Sequence, residues 1–343
     1  MIAVLIIPTG IGAEFGGHAG DANPIAQLIG SVCDKLITHP NVVNASDINE
    51  MPPNTLYVEG AMLDGFLSNE FNLQLVRKNK ILVAMNPPLK SELINSVSAA
   101  RITLGLEAEV VLLKTPIKMI GGFNENGQAT GDISGVVEML DQIKNLEFDA
   151  LAIASPIEVN KESAWKYLKE GGVNLWGGVE AKLSKMVYKA LNKPVAHAPI
   201  DSGLFKDFDE IVDVRMAAEC VSVSYIHCVL KGLQRAPRAS SMQNRNTISV
   251  EDVDCLITPP GIFGPPHYAC RKYGIPIIVV EENENQLKIQ AAVPENTIFV
   301  KSYLEVIGAI QAMKCGLSLE SLRRPVKPTA IHMDFPTDFT IGE

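Results

Sequence analysis

The sequence predicts an α/β fold of mostly parallel sheets flanked by helices, and three observations carry that expectation. Short apolar, β-branched runs recur along the chain, longer stretches of helical pattern separate them, and prolines follow the runs within a few residues. Near-continuous apolar strands are what a parallel sheet covered on both faces requires. The alternation of strand and helix argues for α/β rather than for segregated elements.

Taken in order, strands are expected at 2–7 (Ile-Ala-Val-Leu-Ile-Ile), 81–85, 109–113, 150–154, 194–197, 254–258, 276–280 and 297–301. Helices are expected at about 23–36, 89–104, 133–146, 160–170, 178–191, 215–233, 265–273 and 302–315. Pro8, Pro87-Pro88, Pro116, Pro156, Pro199 and Pro259-Pro260 each end a run. Proline cannot donate to a ladder and biases the residue before it to an extended conformation, so it stops strands. Ligands of open α/β sheets bind outside the carboxyl ends of the strands. The expected site is therefore the rim where these turns gather.

Two Rossmann-like lobes are expected, an N-terminal one over 1–150 and a C-terminal one over 151–343. Leu5-Ile-Ile-Pro-Thr-Gly-Ile-Gly12 resembles Leu256-Ile-Thr-Pro-Pro-Gly-Ile-Phe-Gly264, a hint of two similar halves. Eight strand runs also fit a single barrel-like α/β unit, but the irregular stretch 37–80 argues against a closed barrel.

Composition narrows the function. At roughly 150 residues per domain, 343 residues suggest about two domains. With 47% apolar and 20% charged residues the chain is neither disordered, nor a coiled coil, nor a fibre. A net charge of −9 without a basic stripe argues against nucleic acid and anionic membranes as partners. No secretory signal is evident, and no apolar stretch approaches the roughly 18 residues of a membrane span. Cys33, Cys220, Cys228, Cys255, Cys270 and Cys315 form no Cys-x-x-Cys pair and read as buried free thiols. The expected location is the cytoplasm.

The first candidate site element is Thr9-Gly-Ile-Gly-Ala-Glu-Phe-Gly-Gly-His-Ala-Gly-Asp21. Gly10, Gly12, Gly16 and Gly17 let the backbone approach a ligand, and a loop entering a helix offers free N–H groups to an anion. Its spacing is neither Gly-x-Gly-x-x-Gly nor a Walker A loop. Asp21 serves equally as a helix cap. His39, Asn41 and Glu59 end apolar runs, where polar groups suit ligand binding or local turns alike.

A second glycine-rich approach, Gly171-Gly-Val-Asn-Leu-Trp-Gly-Gly-Val-Glu180, places Glu180 in a first helical turn. His197 at a strand's carboxyl end, with Asp201 four residues on, suits acid–base work. Arg235 and Arg238 can grip a carboxylate or phosphate or merely cap a helix. Lys114, Ser155 and Thr258 complete the rim. There is no Gly-x-Ser-x-Gly elbow and no His-Glu-x-x-His helix. A metal held by His18, Asp21, His39, Glu59 and His197 is the minority reading.

Ile7-Pro-Thr-Gly-Ile-Gly-Ala-Glu-Phe-Gly-Gly-His-Ala-Gly-Asp-Ala22 resembles the opening of an uncharacterised bacterial and plant family, domain of unknown function 3326. Ile37-Thr-His-Pro-Asn-Val-Val-Asn44, Leu56-Tyr-Val-Glu-Gly60, Trp176-Gly-Gly-Val-Glu-Ala181 and Pro194-Val-Ala-His-Ala-Pro199 are similar to it too. The resemblance implies a shared fold and site but brings no activity.

The residues themselves suggest an enzyme that acts on a small anionic metabolite by acid–base chemistry. His197 is the expected acid or base, Glu180 or Asp201 its partner, and the 9–21 loop an anion cradle. The reaction class stays open among lyase, isomerase, hydrolase and transferase, and no cofactor is implied. A non-catalytic small-molecule-binding regulator and a nucleotide-dependent transferase are the alternatives. Further copies of the same chain are the expected macromolecular partner.

Overall fold

The computed structural model describes residues 1–200, 211–222, 224–292 and 297–331. In chain order the main elements begin with β1 (Ile2–Leu5), α1 (Asn23–Gly30), β2 (Lys35–Thr38), β3 (Thr55–Tyr57) and α2 (Gly60–Leu67). Next come β4 (Lys80–Met85), α3 (Ser91–Leu104), β5 (Glu107–Leu112), β6 (Lys118–Phe123), β7 (Ala129–Ser134) and α4 (Val136–Ile143). The chain continues through β8 (Ala150–Pro156), α5 (Lys161–Glu170), α6 (Gly177–Leu191), β9 (Val195–Ile200) and α7 (Ile226–Leu233). It closes with β10 (Cys255–Thr258), α8 (Pro265–Lys272), β11 (Ile277–Val280), β12 (Ile298–Val300) and α9 (Tyr303–Lys314).

Two open parallel sheets organise these elements. The larger has strand order β12-β11-β10-β1-β2-β3, and the smaller β9-β8-β4-β5. Every pairing in both is parallel, and neither closes into a barrel. An antiparallel hairpin, β6 with β7, stands apart from them.

Successive strand residues face opposite ways, so each strand feeds two layers. Leu5 of β1 and Val83 of β4 belong to one buried apolar cluster. Their neighbours Val4 and Leu82 belong to the other. Both layers therefore run across both sheets, which makes one body with two covered faces. Each fully buried Val, Leu or Ile contributes about 1.5–3 kcal/mol to holding it together.

The sheets do not divide at residue 150. The larger takes strands from both ends of the chain, the smaller takes 80–200, and residue 150 is the first of β8. The two similar strand ends, after β1 and after β10, are adjacent strands of one sheet, paired from Ala3–Cys255 to Leu5–Ile257. They are neighbours rather than the cores of two lobes.

Several boundaries also differ. The stretch 37–80 holds β3 and α2 instead of being irregular. The helix expected over 23–36 stops at Gly30, and Lys35–Thr38 pairs with β1. The expected 215–233 helix is a 3-10 segment, Val214–Cys220, followed by α7. Four cysteines are buried, whereas Cys220 is half-buried and Cys315 exposed; all six are free. No helix among the described residues is long and apolar enough to cross a membrane.

Candidate functional site

The carboxyl ends of the two sheets enclose a cavity of about 690 Å3. Ile6 to Thr9 follow β1, His39 follows β2, and Glu59 follows β3. Gly261 to His267 follow β10, Ile157 follows β8, and His197 lies within β9. Helices in such a fold run antiparallel to the strands, so their first turns arrive at the same rim. Glu180 reaches the cavity from the first turn of α6 and Gly60 from the start of α2.

The best-organised polar group is a chain of three side chains on one wall. His197 Nδ1 lies 2.8 Å from Glu180 Oε1, and His197 Nε2 lies 2.9 Å from Ser155 Oγ. Register explains the second contact. His197 pairs with Ile153 and Pro199 with Ser155, so Ser155 stands two residues along on the same sheet face. A carboxylate only accepts, so Nδ1 donates to Glu180 and Nε2 meets the serine hydroxyl.

Both nitrogens of His197 are thus occupied, and its side chain is 1% exposed against 26% for Glu180. His197 and Glu180 both line the cavity, and Glu180 is the more open of the two. Ser155 is fully buried behind the wall, with its Oγ 3.4 Å from Met119 Sδ. Asp201, the other expected partner of His197, lies outside the described residues.

Two further histidines are fixed by backbone donors. Ile7 N–H donates to His39 Nε2, so the ring proton of His39 sits on Nδ1, which has no partner among the described residues. Gly264 N–H donates to His267 Nδ1, and His267 Nε2 donates to Thr258 Oγ1 at 3.0 Å. Burial lowers both to about 4, which keeps the rings neutral.

Carboxyl groups dominate the charged lining. Glu59 caps α2, its Oε2 accepting from Ala61 N and Met62 N. Glu219 Oε1 accepts from Ala19 N, Tyr167 Oη and Asn174 Nδ2 at 2.7, 2.8 and 3.2 Å. Burial pushes both up to about 7, and Asp64 up to about 6. Lys185 is the only lysine or arginine among the described lining residues, and it is exposed at the mouth.

Three N–H groups of the glycine-rich loop are taken within the chain. Gly16 N–H donates to Asp21 Oδ1, Ala19 N–H to Glu219 Oε1 and Phe15 N–H to Asn283 Oδ1. Those three donors are not free for an anion. Gly17 serves packing, because a Cβ there would lie 1.9 Å from the Ala13 carbonyl oxygen. Of this loop, Thr9, Ile11 and Ala19 line the cavity, but Gly10, Gly12, Gly16, Gly17, His18 and Asp21 do not. His18 Nδ1 bonds to Tyr167 Oη instead, at 2.7 Å.

Of the other expected residues, His39, Asn41 and Glu59 line the cavity, and Thr258 stands behind it, holding His267. Lys114, Arg235 and Arg238 do not line it. Lys114 and Arg235 are exposed, and Arg238 pairs with Asp149 at 2.8 Å. The expected grip on an anion therefore loses its arginines as well as those loop donors. No three or more His, Cys, Asp or Glu groups converge in a metal-holding arrangement among the described residues; His18 and His39 are tied to different partners.

Sequence reasoning missed Glu219, Asp64 and Asn126. Glu219 sits in a 3-10 segment with no motif around it, so only the fold reveals its place. Asn174 had a usable signal: it stands three residues before Gly177, whose N–H its Oδ1 accepts at 3.1 Å along with that of Trp176.

A family model described as "Protein of unknown function (DUF3326)" matches residues 2–323. An uncharacterized lipoprotein of Synechococcus sp. (strain ATCC 27144 / PCC 6301 / SAUG 1402/1) is 35% identical over an alignment of 340 residues that covers 94% of this chain and 93% of that protein. No solved structure matches the chain. The relative's lipoprotein name overturns the expectation of a cytoplasmic location. With a family model spanning nearly its whole length and a relative this similar, the chain belongs to the DUF3326 family of proteins of unknown function.

Proposed function

We propose that this protein is an enzyme that carries out acid–base chemistry on a small metabolite in the cavity between the sheet ends. The carrying observation is the Glu180–His197–Ser155 chain, with bonds of 2.8 and 2.9 Å, at the cavity wall. Glu180 exchanges the proton with the substrate through its second oxygen, which has no partner among the described residues. His197 is a positioning residue: it holds Oε1 and keeps its own proton at Nδ1. Ser155 fixes the ring. A site that only retained a ligand would have no need of an oriented proton-transfer group, whereas general acid–base catalysis depends on one. The lipoprotein name of the Synechococcus relative supports a membrane-anchored location for this activity.

Incubation of the purified protein with a metabolite extract tests the reading by following which compound is consumed and which is formed. Glu180→Gln is expected to lower that turnover about 100-fold or more, the usual cost of a lost general acid or base, while ligand-dependent stabilisation persists. Turnover unchanged in Glu180→Gln overturns the proposal. So does a compound retained by the wild-type protein without any product, which makes the chain a binding protein.

A further inference from the structure

We infer that the ligand of this cavity carries a protonated amine, a conclusion that rests on the cavity being the functional site. The wall offers acceptors where a ligand would sit. Glu219 is 6% exposed and directs all three of its hydrogen bonds to Oε1, leaving Oε2 without a partner among the described residues. Glu59, also 6% exposed, uses Oε2 for the helix cap and leaves Oε1 free in the same sense. Asn41 spends both Nδ2 hydrogens on the carbonyls of Ile7 and Gly16, so it presents Oδ1.

Glu59, Glu219 and Asn41 all line the cavity, and none of their side-chain oxygens is among the fully enclosed, unpaired polar atoms of the described residues, which are Asn23 Oδ1 and Thr55 Oγ1.

An ammonium group has three donors and no acceptor, which matches this wall. An anion would meet four carboxyl groups, those of Glu59, Asp64, Glu180 and Glu219, against one exposed lysine. A neutral polyol brings as many acceptors as donors and would leave oxygen facing oxygen. Trp176, Tyr225 and Phe263 are also lining residues, and aromatic rings attract cations. Burial pushes Glu59 and Glu219 up to about 7. A bound cation favours their ionised forms, so amine binding near pH 7 releases protons.

The experiment uses the full chain with putrescine, agmatine and tyramine as amine probes, and succinate and erythritol as anionic and neutral controls. Thermal shift reads binding, and calorimetry in two buffers of different ionisation enthalpy reads the proton count. At least one amine is expected to raise the melting temperature at millimolar concentration and to release protons. Glu219→Gln and Glu59→Gln, which keep the accepting oxygen, are each expected to weaken it about tenfold, as for loss of a charged hydrogen bond.

No shift with any amine, a shift with succinate or erythritol alone, or wild-type amine affinity retained in both variants overturns the inference. The enzyme reading fails separately. An amine bound but never transformed keeps the ligand class and removes the enzyme, while turnover of a compound with no amine does the reverse.

Discussion

Nδ1 of His197 and Oε1 of Glu180 meet at 2.8 Å across 17 residues of chain. The contact is a product of the fold's direction. Helix α6 runs back along the sheet into β9, so its first turn and the strand's far end share one rim. Glu180 gains from the helix dipole at that position, and His197 gains a fixed tautomer.

The far side of the ring supplies a stability test. Ser155→Ala leaves Nε2 of a buried imidazole unpaired, which is expected to cost about 1–3 kcal/mol. Urea denaturation of the variant beside wild type measures it. An unchanged midpoint means that Ser155 does not hold the ring.

Gly17→Val separates the packing role of the loop from ligand binding. The added Cβ would sit 1.9 Å from the Ala13 carbonyl oxygen, so the loop must open. The expected loss is about 2 kcal/mol or more, seen as a lower melting temperature without ligand. Wild-type melting together with lost binding would restore the anion cradle.

Stability should depend on pH through two opposed sets of buried groups. Burial raises Asp21, Glu59 and Glu219 to about 7 and Asp64 to about 6. The folded chain keeps those protons after the unfolded chain has lost them, so this contribution declines as pH rises toward 7. His18, His39 and His267 are lowered to about 4. Their contribution grows as pH rises from about 4 to 6.5. The sets offset each other below about 6.5, and the carboxyl set alone acts between there and pH 8. Urea midpoints are expected to fall over that upper range, and less steeply in Glu219→Gln. A flat wild-type profile would contradict the burial of these groups.

Arg238→Ala checks that this arginine is structural. It removes the 2.8 Å ion pair with Asp149 and the 2.9 Å bond from Nε to Asn79 Oδ1. Because the group is partly exposed, the expected cost is about 1 kcal/mol. Ligand-dependent stabilisation is expected to stay as in wild type; its loss would return Arg238 to the site.

The apolar strands and the rim were legible because burial on both faces leaves an unbroken apolar run and proline ends it. β3 was not, since Thr55-Leu-Tyr57 is only three residues long and takes its stability from pairing with β2. His197 and Glu180 stood out from their places near a strand end and a helix start. How the His197 ring is held between Glu180 and Ser155 depends on strand register, which the sequence does not display. The glycines misled because a loop that packs tightly and a loop that binds an anion need the same residue type.

β1 occupies the centre of its sheet, between β2 and a strand some 250 positions further along, as the pairing of Ala3 with Cys255 shows. On the ribosome, β1 emerges long before β10 and waits for that neighbour. The roughly 200 residues between β3 and β10 take on the order of 10–40 s to make at about 5–20 residues per second. The smaller sheet can assemble during that interval from its own contiguous segment. The nascent β1 meanwhile keeps an open apolar edge, the feature that invites mispairing. Chaperone dependence during synthesis should therefore concentrate on the amino-terminal strands, although in the finished protein they lie deepest.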